Sequence, residues 1–143
     1  MMRIVSTLTY RLSFRLSHPR MPVDHISRRL GSKPRWGWTA GDARVTPRGR
    51  VLPGIQRESY WAKEVGRGVD QEPDELIADH LASMRPHQRF FASVVRGGGR
   101  VEYYLSCQSS GAVGVVFEPA LLSELGRMHI RLGIDGFASY DSK

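Results

Sequence analysis

The sequence predicts a single α+β domain with one mostly antiparallel or mixed sheet of about four to five strands and about three helices packed on one face. Two patterns support this fold class. Several segments alternate polar and apolar residues, as half-buried strands do, and others repeat apolar residues at helical spacing. Parallel strands buried on both faces would instead read as continuous apolar runs. We therefore expect helices on one face of the sheet and an uncovered second face.

The length and the cysteine content set the class of protein. The chain has 143 residues, which fits one domain over residues 1–143 with its core at about 9–137. Its single cysteine, Cys107, has no internal partner for a disulfide. No apolar run reaches the length of a membrane-spanning helix. These observations predict a cytoplasmic protein that does not contact a membrane.

Four segments have the features of strands. The alternation is clearest over residues 10–16, and His18 and Pro19 end this first strand. The β-rich run Tyr60–Val65 predicts the second strand, with an exit loop over residues 66–73. Residues 101–107 form the third, and its continuation through a turn into residues 115–117 is left open. Residues 130–135 form the last strand.

Helical spacing appears in three places. The first helix follows Pro22 and ends at Gly31, since proline suits the first turn and glycine the end of a helix. The longest pattern begins near Asp74, and because Pro86 interrupts it, it is either one kinked helix or two abutting helices. The third helix begins at Pro119. Its inward side chains are Leu121, Leu122, Leu125 and Met128.

Residues 32–56 predict a long basic loop with at most a short strand near residues 50–52, because prolines and glycines interrupt any period. The net charge of +7 comes from this loop and from the residues that precede it. Residues 1–50 hold eleven Arg and Lys against two Asp, a balance of +9, so the remainder carries −2. The candidate partner-binding residues of this loop are basic or aromatic: Lys33, Arg35, Trp36, Trp38, Arg44, Arg48 and Arg50.

No motif predicts catalysis, a metal or a cofactor. His80 and His87 share a helix face, but two helical turns separate them too far for one zinc ion. Cys107 alternates with apolar residues and is expected on the buried face of its strand. Residues 96–100 contain three glycines after a helix, where a phosphate loop would precede one. We therefore expect a protein that is not an enzyme.

Three polar residues are expected together on the uncovered face of the sheet. Glu102 and Tyr104 belong to the outward set of the third strand, and Asp135 belongs to that of the last strand. A solvated polar face is the simplest interpretation of this group.

The order of several local signatures resembles the bacterial family described as domain of unknown function 4279. The signatures, in chain order, are Leu30-Gly31, Pro34, Gly41-Asp42, Trp61, Leu81, Met84, Pro86, Pro119, Leu121, Leu122, Leu125 and Ile134-Asp135. The likeness spans residues 9–137. The chain departs from the family pattern at Gly136-Phe137 and at Glu118, where a Ser-like cap is usual. The resemblance implies an α+β domain of bacterial origin and brings no catalytic residues.

Two functions remain open from the sequence. The first is a non-catalytic protein-binding module, of an accessory or immunity type, that meets an acidic protein surface with the loop and the uncovered sheet face. The alternative is a nucleic-acid-binding domain, because arginines interleaved with tryptophans can neutralise phosphates and stack bases.

Overall fold

The computed structural model describes residues 8–69 and 72–138. It confirms the predicted α+β class. The seven strands are β1 (Leu8–His18), β2 (Trp36–Trp38), β3 (Ala43–Val45), β4 (Val51–Ile55), β5 (Ser59–Val69), β6 (Arg100–Ser109) and β7 (Ile130–Ala138) within the described ranges. The helices in these ranges are α1 (Val23–Leu30), α2 (Pro73–Met84), α3 (Gln88–Arg96) and α4 (Pro119–Arg127).

The main sheet is mixed, with five strands in the order β2-β5-β1-β6-β7. Strand β1 lies at its centre and pairs antiparallel with both neighbours, Leu16 facing Trp61 of β5 and Val101 of β6. Only the pairing of β6 with β7 is parallel among the described strands, and α4 provides the connection between them. Such a crossover is required because parallel neighbours cannot be joined by a tight turn.

The helices cover one face of this sheet. Alternate residues of β1, among them Leu12, Phe14 and Leu16, are almost fully buried in a core that includes the helical residues Ile77 and Phe91. Burial of one such side chain contributes about 1.5 to 3 kcal/mol, so this layer supplies most of the stability of the fold. The intervening residues of β1 lie on the uncovered face, as predicted.

The predicted helix ends are confirmed. Gly31 closes α1 in the left-handed conformation, with φ of 66°, and its N–H bonds to the carbonyl of Ser27. At Pro86 the long helical pattern divides into α2 and α3, joined by the 3-10 turn Arg85–His87. The structure thus selects two abutting helices from the two predicted alternatives. Among the residues predicted to point inward, Leu122 is exposed.

The short strand predicted near residues 50–52 corresponds to the start of β4, but the remainder of residues 32–56 is not simply a loop. This segment contains β2 at the edge of the main sheet and the two-stranded hairpin of β3 and β4. Strand β2 has the sequence Trp-Gly-Trp, which is too short to show a period. In the hairpin, Pro47 and Gly49 lie in the turn, and Pro53 and Gly54 lie within β4. Prolines and glycines that indicated a loop therefore belong to a hairpin.

Two other predicted boundaries differ from the structure. Strand β5 continues to Val69, beyond the predicted end at Val65. Residues 115–117 form no strand, and Val116 is exposed. No helix in the described part of the chain is both long enough and apolar enough to cross a bilayer.

Candidate protein-binding surface

The uncovered face of the main sheet carries a polar cluster at the meeting of β6 and β7. The hydroxyl of Tyr104 donates to Asp135 Oδ2 at 2.5 Å, and that of Ser106 donates to Asp135 Oδ1 at 2.7 Å. These two hydrogen bonds lower the pKa of the Asp135 carboxyl group, because they stabilise its charged form. Tyr104 contacts Asp135 directly, and Glu102 lies further along the same face opposite Arg131. The three residues therefore share the uncovered face, as predicted.

The arginines of the uncovered face already have acidic partners. The Arg15 guanidinium lies 2.7 Å from Glu102 Oε1 and 3.7 Å from the centre of the Tyr104 ring. The other ion pairs of this face and its rim are Arg131 with Glu102, Arg11 and Arg67 with Glu64, and Arg100 with Glu58. Each of these five arginines contacts a carboxylate, although they share three glutamates. The face therefore has fewer free guanidinium donors to offer phosphates or an acidic protein than its arginine content suggests.

The side chain of Trp38 packs against β5 and holds β2 in place at the edge of the sheet. Its ring stacks on Tyr60 with centroids 4.7 Å apart and an angle of 25° between the planes. Its indole N–H donates to the carbonyl oxygen of Glu58 at 3.0 Å. The ring is half-buried, and both its face and its N–H are used within the fold. This geometry assigns Trp38 a structural role.

Trp36 lies in the same strand and is 48% exposed. The guanidinium of Arg35 lies 4.9 Å from the centre of a Trp36 ring, and Lys33 is exposed in the turn that precedes them. Arginine stacked on an aromatic ring keeps its donors available for a partner. Arg35 and Trp36 are therefore available for contact with a partner at the edge of the main sheet.

The hairpin of β3 and β4, residues 43–55, is called the arm below. At its base, the N–H of Gly41 bonds to the carbonyl of Gln56 and the N–H of Gln56 bonds to that of Asp42, both at 2.8 Å. At its tip, the N–H of Gly49 bonds to the carbonyl of Thr46, and Gly49 has φ of 86°. Glycine accepts this conformation without strain, so local hydrogen bonds define the hairpin.

One face of the arm is apolar and uncovered. Residues directly opposite each other in an antiparallel pair share a face. The pairs here are Ala43 with Ile55 and Val45 with Val51, with a shift of register between them. Ala43 and Val45 are two residues apart in β3, so the two pairs lie on the same face. The side chains of Val45, Val51 and Ile55 are 51%, 68% and 61% exposed. Three large aliphatic side chains that are exposed together typically mark an interaction site.

The arginines of the arm border this apolar face. Arg44, Arg48 and Arg50 are exposed, and none forms an ion pair with a carboxylate in residues 8–69 or 72–138. One guanidinium nitrogen of Arg44 donates to the carbonyl of Pro53 at 3.3 Å. The arm therefore presents uncompensated positive charge beside its exposed aliphatic side chains.

The structure divides the seven predicted binding residues among three places. Lys33, Arg35 and Trp36 lie at the edge strand, Trp38 stacks within the fold, and the other three arginines belong to the arm. Sequence reasoning missed the aliphatic residues of the arm. The turn sequence Thr-Pro-Arg-Gly at residues 46–49, flanked by Val45 and Val51, was a signal for a hairpin that could have revealed them.

The remaining candidates for metal binding or catalysis are His80, His87 and Cys107. His80 Nδ1 lies 2.6 Å from the Tyr103 hydroxyl, whereas the His87 ring packs near Phe91. No group of three or more metal-binding side chains occurs within the described ranges. Cys107 is half-buried on the covered face, where burial and then the charge of Asp135 raise the pKa of its thiol. A raised pKa reduces the fraction of reactive thiolate.

The family model described as domain of unknown function (DUF4279) matches residues 8–137, which is most of the chain. No curated protein matches the chain. No solved structure matches it either.

Proposed function

The chain belongs to the DUF4279 family, and we propose that it is a non-catalytic protein-binding module, of a bacterial accessory or immunity type, that holds its partner with the arm. The observation that carries this proposal is the apolar face of the arm, with Val45, Val51 and Ile55 all more than half exposed. A hydrophobic patch beside unpaired arginines matches the composition of a protein interface, which combines apolar contacts with arginine.

The arm indicates the chemistry of the partner. Its aliphatic side chains require an apolar patch, and Arg44, Arg48 and Arg50 require carboxylates around that patch. Burial of one exposed valine or isoleucine on binding contributes on the order of 1 kcal/mol at about 25 cal/mol per Å². The proposed partner is therefore a protein with an apolar patch bordered by Asp or Glu side chains.

The alternative is a nucleic-acid-binding domain, and the exposed Arg35 and Trp36 favour it. These two residues could stack a base and contact a phosphate. The apolar face of the arm favours a protein instead, because exposed aliphatic side chains gain little from contact with a phosphate backbone. The two proposals differ in which variant abolishes binding.

The test is affinity capture from a nuclease-treated native lysate, followed by reconstitution with the purified protein that is recovered. Three baits are compared: the natural chain, V45S/V51S/I55S in the arm, and R35A/W36A at the edge strand. We expect a stoichiometric protein to be retained by the natural chain and by R35A/W36A and to be lost with the arm variant. The purified pair should then bind with the same dependence on the arm.

Two results would count against the protein-binding proposal. The first is that no protein binds the natural chain stoichiometrically in the reconstituted assay, at either low or moderate salt. The second is that capture occurs only from a lysate without nuclease treatment, falls steeply with salt and is lost with R35A/W36A while the arm variant binds normally. The second result would support the alternative function.

A further inference from the structure

A separate cavity of about 300 Å³ lies on the covered side of the sheet, among α1, β5 and α2. Its apolar wall consists of Phe14, Leu30, Trp61 and Met84. A volume of about 300 Å³ is at the small end of the range for ligand pockets, which suits a molecule with a single ring. Phe14 and Trp61 are in edge-to-face contact, with ring centroids 6.3 Å apart, and form the buried floor of the cavity. An apolar wall of this kind favours an apolar ligand body.

One polar group of the cavity is an ammonium without an acidic partner. Lys63 Nζ donates to Ser32 Oγ at 2.7 Å, and both residues line the cavity. Glu64 also borders the cavity, but its carboxylate pairs with Arg67 at 2.9 Å and with Arg11 at 3.4 Å on the other face of the sheet. No carboxylate of the described chain forms an ion pair with Lys63. The rim of the cavity therefore holds one uncompensated positive charge.

His80 supplies a second, fixed donor. Its Nδ1 lies 2.6 Å from the hydroxyl of Tyr103, which is fully buried. A neutral imidazole carries one proton, and in the tautomer that accepts the Tyr103 hydroxyl at Nδ1 this proton is on Nε2, where it can be donated to a ligand. Burial, with a smaller contribution from Lys63, lowers the pKa of His80, which keeps the imidazole neutral. The cavity thus presents one neutral N–H beside one cation.

We propose that this cavity is a binding site for a small aromatic carboxylate. The carboxylate binds the Lys63 ammonium, the Ser32 hydroxyl and the His80 Nε2–H. The ring of the ligand packs on the apolar wall, against Leu30 and Met84. A neutral ligand of the same shape gains the ring contacts but lacks the ion pair with Lys63. A cationic ligand is repelled by Lys63. The site lies apart from the arm and does not depend on the function proposed for it.

The test compares three probes of similar size: 3-phenylpropionate, 3-phenylpropanamide and 2-phenylethylamine. Binding is followed by ¹H–¹⁵N NMR, in which the indole N–H of Trp61 reports on the cavity because Trp61 lines it. This N–H donates to Ser27 Oγ at 3.1 Å. We expect saturable shifts of the Trp61 signal, with the carboxylate bound about tenfold more tightly than the amide and the amine bound least. Lys63→Met should remove the preference for the carboxylate and leave binding of the amide unchanged.

Arg96→Met is the matched control, since Arg96 is an exposed cation at the end of α3 that does not line the cavity. It lowers the net charge by the same amount and should leave all three affinities unchanged. The proposal is overturned if no probe shifts the Trp61 signal saturably, or if the carboxylate is preferred equally by Lys63→Met and by the natural chain. Equal loss of preference in both variants would also overturn it, because that result reflects net charge alone.

Discussion

The body of the domain and the arm use the same kinds of side chain in opposite ways. In the body, Val94 and Val101 are completely buried between the sheet and the helices. In the arm, Val45 and Val51 pair across two strands and are more than half exposed. The comparison shows that the strands of the arm form through local hydrogen bonds and a tight turn, without a core of their own. Its aliphatic residues therefore add little to the stability of the fold and remain available for a partner.

The largest expected difference between the two regions concerns side-chain truncation. Phe91 is completely buried, so Phe91→Ala should lower the free energy of unfolding by about 3 to 5 kcal/mol. Val51→Ala in the arm should change it by less than about 0.5 kcal/mol, since the residue is 68% exposed. Urea denaturation of both variants measures these values. Similar losses in both would show that the arm is part of the folding core.

A glycine substitution tests how closely the body is packed. Gly99 follows α3, and a Cβ added there would lie 2.7 Å from Val94 Cγ1 and would also clash with the Ser17 carbonyl oxygen. Gly99→Ala should therefore cost about 1 to 3 kcal/mol in the free energy of unfolding. The matched control is Gly114→Ala, where a Cβ would meet nothing within 4 Å. Chemical denaturation should separate the two variants, and equal stability would contradict the close approach of α3 to β1.

A smaller effect is expected from pH. His18 is buried at the end of β1, and its Nδ1 accepts the backbone N–H groups of Arg20 at 3.0 Å and Met21 at 2.8 Å. Burial, with a smaller contribution from the charge of Arg20, lowers the pKa of His18 below its ordinary value of 6.5. The unfolded chain therefore binds a proton at a higher pH than the folded chain. The stabilisation is complete above pH 6.5 and decreases as the pH falls from there towards the folded pKa.

Urea unfolding at several pH values between about 7.5 and 5 checks this expectation. His18→Asn should flatten the pH dependence, because an amide oxygen can accept the same N–H groups without titrating. His129→Asn is the control, since His129 is exposed and forms no part of this contact. His80 also titrates below its ordinary value, so some slope should remain in both variants. An unchanged slope in His18→Asn would contradict the role assigned to the His18 imidazole.

Much of the body could be predicted from the sequence because burial imposes a period. Burial alternates along β1 from Leu8 to Leu16. Gly31 marks the end of α1, and Pro86 marks an interruption of the long helical pattern. The arm could not be predicted in the same way. Its side chains are exposed, so no period marks its strands, and Pro53 and Gly54 inside β4 resemble loop residues.

Of the candidate surface, only the positive charge was predicted from the sequence. Composition identifies the arginines of residues 32–56, but the apolar face of the arm depends on the pairing of Val45 with Val51, for which the turn at residues 46–49 was the available local signal. The cavity could be predicted from the sequence even less than the arm. Lys63 and His80 belong to different elements, and only the packing of α2 beside β5 brings them to the same wall. Sequence reasoning therefore located the region of interest but not the residues that define its chemistry.

The central claim is that the arm is the surface that holds a protein partner, and hydrogen–deuterium exchange of the reconstituted complex tests it most directly. The backbone N–H groups of the arm should exchange rapidly in the free chain, because its hydrogen bonds are exposed to solvent. The account predicts that binding slows exchange within residues 43–55. It would be contradicted if protection were confined to β1, β6 and β7 of the uncovered sheet face while the arm exchanged as it does in the free chain.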